Sequence, residues 1–245
     1  MLCKGAKKGG GLMSESEMKY RHELKYVVSA AQIPLLKSRI SNLMQLDSHA
    51  GMDGIYNIRS LYFDDYTNRC FYENENGTDP REKYRIRIYN HSPERITLEC
   101  KRKERGKTRK ESCPLTLEQA EQLIHGKALP MGETLPPLLN KFLIEMVTRR
   151  LHPVVIVEYE RIPYVYKNGN VRITFDTQMA SSTCVTDFFS DKLPKRPIMP
   201  AGRHLMEVKF DEYLPDVIYR SLNLSQLQQT AFSKYYLCRK FALKK

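Results

Sequence analysis

A chain of 245 residues with 41% hydrophobic content is long enough to bury one sizeable core and too apolar for wholesale disorder. Its 40 Lys and Arg against 28 Asp and Glu give a net charge of +12, which points to a polyanion: nucleic acid, an anionic membrane surface or phosphate chains. No apolar run approaches the ~20 residues that cross a bilayer. The first 16 residues lack the apolar core of a signal peptide. Six scattered cysteines without a C-x-x-C pair fit a reduced, cytoplasmic protein and argue against a zinc site.

Residues 1–17, rich in glycine and lysine, read as a disordered or expression-derived leader, and 18–245 as a single domain. Arg21, Glu23 and Lys25 alternate with His22, Leu24 and Tyr26, the two-residue period of a strand. Ser29 caps a predicted helix running to about Leu46, with Pro34 tolerated near its start. Asn74 to Arg81 carries the turn pairs Asn76-Gly77 and Asp79-Pro80. From Lys83 to Tyr89 one face is Lys83, Arg85 and Arg87, and the other Tyr84, Ile86 and Ile88. The next strand sets Thr97, Glu99, Lys101 and Lys103 against Ile96, Leu98 and Cys100, and Thr108 to Ser112 repeats the habit with Lys110. Thr116 and Gln119 form a capping box for a helix that ends near Gly126. A third predicted helix follows Pro136 and Pro137 and runs to about Leu151, apolar at Leu139, Phe142, Leu143 and Met146. Val154 to Arg161 places Tyr159 and Arg161 on one face. Arg172, Thr174 and Asp176 then share a face against Ile173 and Phe175. Gln178 to Gly202 reads as a long irregular loop. Glu207 and Lys209 alternate with Met206, Val208 and Phe210, and from Asp216 the chain reads helical, broken near Asn223.

At least six segments thus pair an apolar face with a face carrying charges of both signs. An antiparallel sheet with one solvated face would give this pattern, and so would a sheet curled into a barrel with a cationic lumen. Periodicity does not separate the two. The polar faces do repeat Arg and Lys beside isolated Glu, where a solvated face mixes Ser, Thr and Gln freely. No P-loop spacing is present, and the six histidines show no metal-ligand spacing. The basic run from Lys101 to Lys110 suits a hairpin turning at Arg105-Gly106-Lys107, and no basic-aromatic stacking platform supports a nucleic-acid partner.

The motifs Glu23-Leu24-Lys25-Tyr26, Ser60-Leu61-Tyr62-Phe63-Asp64, Lys83-Tyr84-Arg85-Ile86-Arg87, Glu99-Cys100-Lys101, Glu158-Tyr159-Glu160-Arg161, Arg172-Ile173-Thr174-Phe175-Asp176, Glu207-Val208-Lys209 and Phe232-Ser233-Lys234-Tyr235 occur in that order. In this the chain resembles, from about Tyr20 to Phe241, the VTC (vacuolar transporter chaperone) polyphosphate polymerase domain of the CYTH-like triphosphate tunnel metalloenzymes. The resemblance implies an α+β fold: an antiparallel β-barrel tunnel of about eight strands with flanking helices. It implies transfer of the γ-phosphate of ATP onto polyphosphate, with a divalent metal, Mn2+ or Mg2+. The implied catalytic residues are Arg85, Arg87, Lys101, Arg161, Arg172 and Glu207. The implied substrate-binding residues are Lys25, Tyr159, Lys209, Ser233 and Lys234, with Lys110 and Arg59 matching less specific lumen positions. Glu207 is the implied metal ligand, with Glu23 and Glu99 as its partners. Hydrolysis of tripolyphosphate or a nucleoside triphosphate in the same tunnel is the alternative, and a non-catalytic polyphosphate-binding module a third reading, for which a lumen carboxylate has no use. The regulatory and membrane-spanning regions of eukaryotic members are not matched, so coupling to transport is expected to need a membrane partner protein.

Overall fold

The computed structural model describes residues 20–48, 50–51 and 53–243, so the predicted leader lies outside the described residues. Its strands are β1 (His22–Ser29), β2 (Gln45–Leu46), β3 (Tyr56–Asp64), β4 (Arg81–Tyr89), β5 (Ser92–Glu104), β6 (Lys107–Leu115), β7 (His152–Tyr166), β8 (Val171–Ser182), β9 (Arg196–Pro197) and β10 (Arg203–Phe210). Six helices are interleaved: α1 (Gln32–Ile40), α2 (Arg69–Glu75), α3 (Leu117–Ile124), α4 (Pro137–Arg149), α5 (Asp216–Ser221) and α6 (Lys234–Leu243). Among the described residues no helix is long and apolar enough to cross a membrane.

Eight strands form one antiparallel sheet in the order β1-β10-β8-β7-β3-β4-β5-β6, with the short β2 and β9 appended to β7 and β8. The sheet curls until its edge strands meet at a single bridge, where Arg21 and Thr108 exchange backbone hydrogen bonds of 3.0 and 3.1 Å. Residues directly opposite across a strand pair share a face. The register sets Lys25 opposite Glu207, Glu23 opposite Lys209, and Arg85 between Tyr62 and Glu99. The charged faces therefore converge on the concave side.

The apolar faces pack outward under helices. Leu61, Phe63, Ile86, Ile88 and Leu98 meet Ala120 and Leu123 of α3 and Leu139, Phe142 and Leu143 of α4. Val28, Ile173, Phe175 and Val208 meet Ile33, Leu36 and Ile40 of α1 and Ile218 of α5. At ~25 cal/mol per Å² of apolar surface removed from water, these two layers hold the curl. A third cluster joins Tyr62, Val157 and Tyr159 to Cys70 and Phe71 of α2 and Tyr235 and Cys238 of α6. Those two helices wall part of the concave side.

The Thr116–Gln119 capping box forms as its spacing predicts, and α4 starts at the expected proline pair. Helix α1 is shorter than predicted. Its end at Ile40 frees Gln45 and Leu46 to pair with Val165 and Tyr164 of β7. Ser29 lies before the helix and exchanges reciprocal bonds with Gln32, 2.8 and 3.2 Å. Helix α2 was not expected: Asp64, outside the segment, accepts from the Cys70 and Phe71 amides and anchors its first turn. The expected loop from Gln178 to Gly202 instead continues β8 to Ser182 and adds β9. After Asn223 a helix longer than one turn resumes only at Lys234.

Candidate active site

The concave face encloses a cavity of about 1210 Å³ lined by ten Lys and Arg side chains against three Glu, among the described residues. Lys25, Arg85, Arg87, Lys101, Tyr159, Arg161, Lys209, Ser233, Lys234, Glu23 and Glu207 all line it. Strand alternation delivers nine of these, all charged or phenolic, and the start of α6 adds Ser233 and Lys234. Ser233 accepts a bond from the Tyr236 amide at 3.2 Å, which starts the helix and leaves its hydroxyl hydrogen free to donate. Lys25 is steered by the Phe232 carbonyl at 2.6 Å.

Two carboxylate nodes organise the cations. Glu207 meets Lys234 at 2.9 Å, Lys209 at 3.0 Å and Arg161 at 3.4 Å. Beside it, Asp176 clamps Arg161 through two bonds of 2.7 and 2.8 Å and meets Lys234 at 2.6 Å. Glu23 meets Lys101 at 2.8 Å, Lys209 at 3.5 Å and Lys25 at 3.9 Å. Lys209 thus bridges Glu23 and Glu207. Arg87 donates to Ser60 at 3.1 Å and to the Tyr159 hydroxyl at 3.4 Å. Lys234 and Arg161 lie 4.7 and 5.2 Å from the Tyr159 ring centre.

These contacts set the charges. Burial pushes the Glu207 carboxyl up, but Lys209, Lys234, Lys25 and Arg161 outweigh it and hold it well below the usual carboxylate range. The same contest, with Lys101, Lys25 and Lys209, holds Glu23 well below that range. Burial also raises the Tyr159 phenol, and Arg161, Arg87 and Lys234 reverse this and bring it below its ordinary value. For Lys101 burial wins over Glu23 and pulls the ammonium down to about 8.

Four of the implied residues stand elsewhere. Arg59 is on the convex face, because Ser60 and Tyr62 occupy the concave one. It is fully buried, with Glu158 at 2.5 Å and the Phe188 and Ser190 carbonyls at 2.7 Å. The lumen position assigned to it is corrected: it is a tie between strands and the loop after β8. Arg172 shares the concave face with Lys209 but turns to Asp47 at 2.8 Å and the Tyr56 hydroxyl at 2.9 Å, outside the cavity lining. Lys110 and Glu99 pair with each other at 2.8 Å, and Glu99 also holds Arg85 (Nε at 2.7 Å) and Arg87 at 3.7 Å. Glu99 is thereby a counter-charge for the two arginines and stands outside the lining. Conversely, Asp176, Arg81, Lys83 and Lys103 belong to the site or its rim and were left out of the implied set. The two-residue period, from Thr174 to Asp176, from Arg85 back through Lys83 to Arg81, and from Lys101 to Lys103, is the signal that places them.

A divalent ion fits this arrangement only when shared with substrate. Among the described residues no three His, Cys, Asp or Glu side chains make a protein-only cage. Glu207 and Glu23 offer hard oxygen donors on one wall of the cavity, and Mg2+-like ions are commonly held by one or two carboxylates plus phosphate oxygens.

An antiparallel sheet curled round inward-pointing cations is the triphosphate tunnel fold. Among solved structures, a candidate adenylate cyclase from Bacillus halodurans matches with a TM-score of 0.51 and 16% identity over 88% of this chain and 94% of its own. A candidate adenylyl cyclase from Hippeastrum with a dominant triphosphatase activity matches at TM-score 0.51 and 12% identity, over 91% of this chain and 96% of its own. The sequence has no match among curated proteins. The chain belongs to the VTC domain family, whose model matches residues 20–243.

Proposed function

We propose that this protein is a phosphoryl-transfer enzyme for triphosphate and polyphosphate chains, and that it moves the γ-phosphate of ATP onto a growing polyphosphate. The observation that carries this reading is the excess of ten cations over three carboxylates in one cavity, with Glu207 held ionised among them. Anion binding alone gains nothing from such a carboxylate. Membership of the VTC domain family supports the same reading.

Phosphoryl transfer needs positioning and charge stabilisation more than a protein nucleophile. Arg85 and Arg87 offer planar forks that grip two phosphate oxygens each, pre-set by Glu99, Tyr62 and Ser60. Arg161, rigid in the Asp176 clamp, and Lys234 face the same space and would take charge gathering on the transferred group. Lys25, Lys101 and Lys209 provide point charges along the chain. The Tyr159 and Ser233 hydroxyls add hydrogen-bond donors. Arg172 and Lys110 act from the margin, by aligning Asp47 and Glu99. A divalent ion, Mn2+ or Mg2+, would be held by Glu207 with Glu23 and would neutralise the leaving diphosphate when bound.

Hydrolysis is the second reading, favoured by the triphosphatase activity of the Hippeastrum neighbour. Incubation with ATP and manganese, following ADP, free phosphate and long-chain polymer together, separates the two. ADP with polymer is expected. Phosphate in step with ADP would assign a triphosphatase, and no consumption of ATP or tripolyphosphate would overturn both.

A further inference from the structure

Lys83, with Arg81 and Lys103 beside it, differs from the other cations of the cavity. Arg85, Arg87, Lys101, Arg161, Lys209 and Lys234 each have a carboxylate within 4.0 Å. Lys83 lines the same cavity on the same β4 face, yet no carboxylate lies within 4.0 Å of it among the described residues. Its ammonium instead donates to the Asn74 side-chain carbonyl at 2.7 Å and lies 4.8 Å from the Tyr235 ring centre. Those are neutral partners, an amide dipole from the last turn of α2 and a π-face from α6.

The remaining charged or titratable neighbours are Arg81 on its own strand, Lys101 on β5, Lys25 on β1, and Cys70 and Glu73 on α2. Three of these repel a positive charge. Burial, reinforced by that repulsion, pulls the Lys83 ammonium down to about 7. An ammonium that meets only neutral groups at contact distance, with like charges nearby, gains more from an anionic partner than its carboxylate-paired neighbours do.

We propose that Lys83 is a further phosphate-binding residue of the tunnel, which exchanges the Asn74 amide for a phosphate oxygen when an anionic chain enters. This rests on the phosphoryl-transfer reading above. A phosphate oxygen favours the charged ammonium, so above neutral pH the anion enters together with a proton taken from solvent. No covalent bond changes, and the proton resides on Lys83 Nζ.

Titration calorimetry with metal-free tripolyphosphate at pH 8, in two buffers of different ionisation enthalpy, reads affinity and proton uptake together. The parent chain is expected to bind with net proton uptake. Lys83→Met should bind roughly tenfold more weakly, the size of one charge-assisted contact, and take up as much as about one proton less. Lys83→Arg, whose guanidinium stays charged, should keep near-parental affinity while losing that part of the uptake. Should Lys83→Met fail to fold, Lys83→Arg alone decides, because unchanged uptake in it overturns the proposal. Parental affinity and uptake in Lys83→Met would overturn the proposal and leave the tunnel reading standing. No binding by the parent would overturn both.

Discussion

Asp176, itself fully buried, holds Arg161 by two hydrogen bonds and Lys234 by an ion pair. Asp176→Asn keeps the shape and removes the charge, leaving two buried cations under-compensated. The expected outcome is a loss of about 3 kcal/mol in stability and a fall in turnover, with metal-free tripolyphosphate affinity unchanged or tighter. Thermal melts and a separation of kcat from KM check this. Arg59→Met is the contrast on the other face. It removes the buried partner of Glu158, leaving that carboxylate only Lys195 and His91, and should also cost about 3 kcal/mol. Tripolyphosphate affinity should not change, since Arg59 faces away from the cavity. Sequence alternation reads the face of Lys25, Arg87 or Glu207 because each lies inside a run of alternating polar and apolar residues. The family resemblance misplaces Arg59 in the lumen, and alternation does not correct it, because Ser60, Leu61, Tyr62 and Phe63 blur the pattern and the deciding partner, Glu158, lies 99 positions away.

At the level of elements, the local signals are the readable ones. The capping box of α3 lies within four residues, and Thr116→Ala should cost about 1 kcal/mol while leaving anion binding intact. Helix α2 has only seven residues and no cap of its own. Its anchor is Asp64, which also accepts from the Tyr235 hydroxyl of α6, 171 positions on. Such an anchor exists only after the sheet has formed, which is why the local sequence carries no signal for the helix. Asp64→Ala should speed hydrogen exchange at Cys70 and Phe71 and, by loosening α2 and α6, weaken tripolyphosphate binding. Hydrogen exchange of the two amides beside a binding titration tests that coupling.

For the molecule as a whole, the charge of the lumen links stability to pH in two windows. Glu23, Glu99, Glu207 and Asp176 are all held below their ordinary values by neighbouring cations that outweigh burial. Their contribution is present above about pH 4 and is lost as pH falls through the lower folded values. Lys83 and Lys101, at about 7 and 8, bind fewer protons folded than unfolded. Stability of the ligand-free protein should therefore rise from pH 7 to pH 9, and the stabilisation by tripolyphosphate should shrink over the same interval. Melting curves with and without the anion check both slopes. The curl that creates this lumen is the part that alternation leaves open. A flat sheet and a closed one share the same two-residue period, and the closure here depends on helices packed outside and one bridge between Arg21 and Thr108. The order of the eight motifs, matched to the VTC family, is what decides it from sequence.

The most direct measurement is a crystal structure of the protein with tripolyphosphate. The expected result is phosphate density inside the cavity, in contact with Arg85, Arg87, Arg161 and Lys234. Anion density confined to the outer surface at saturating concentration, with the lumen holding only water, would contradict the tunnel as the site.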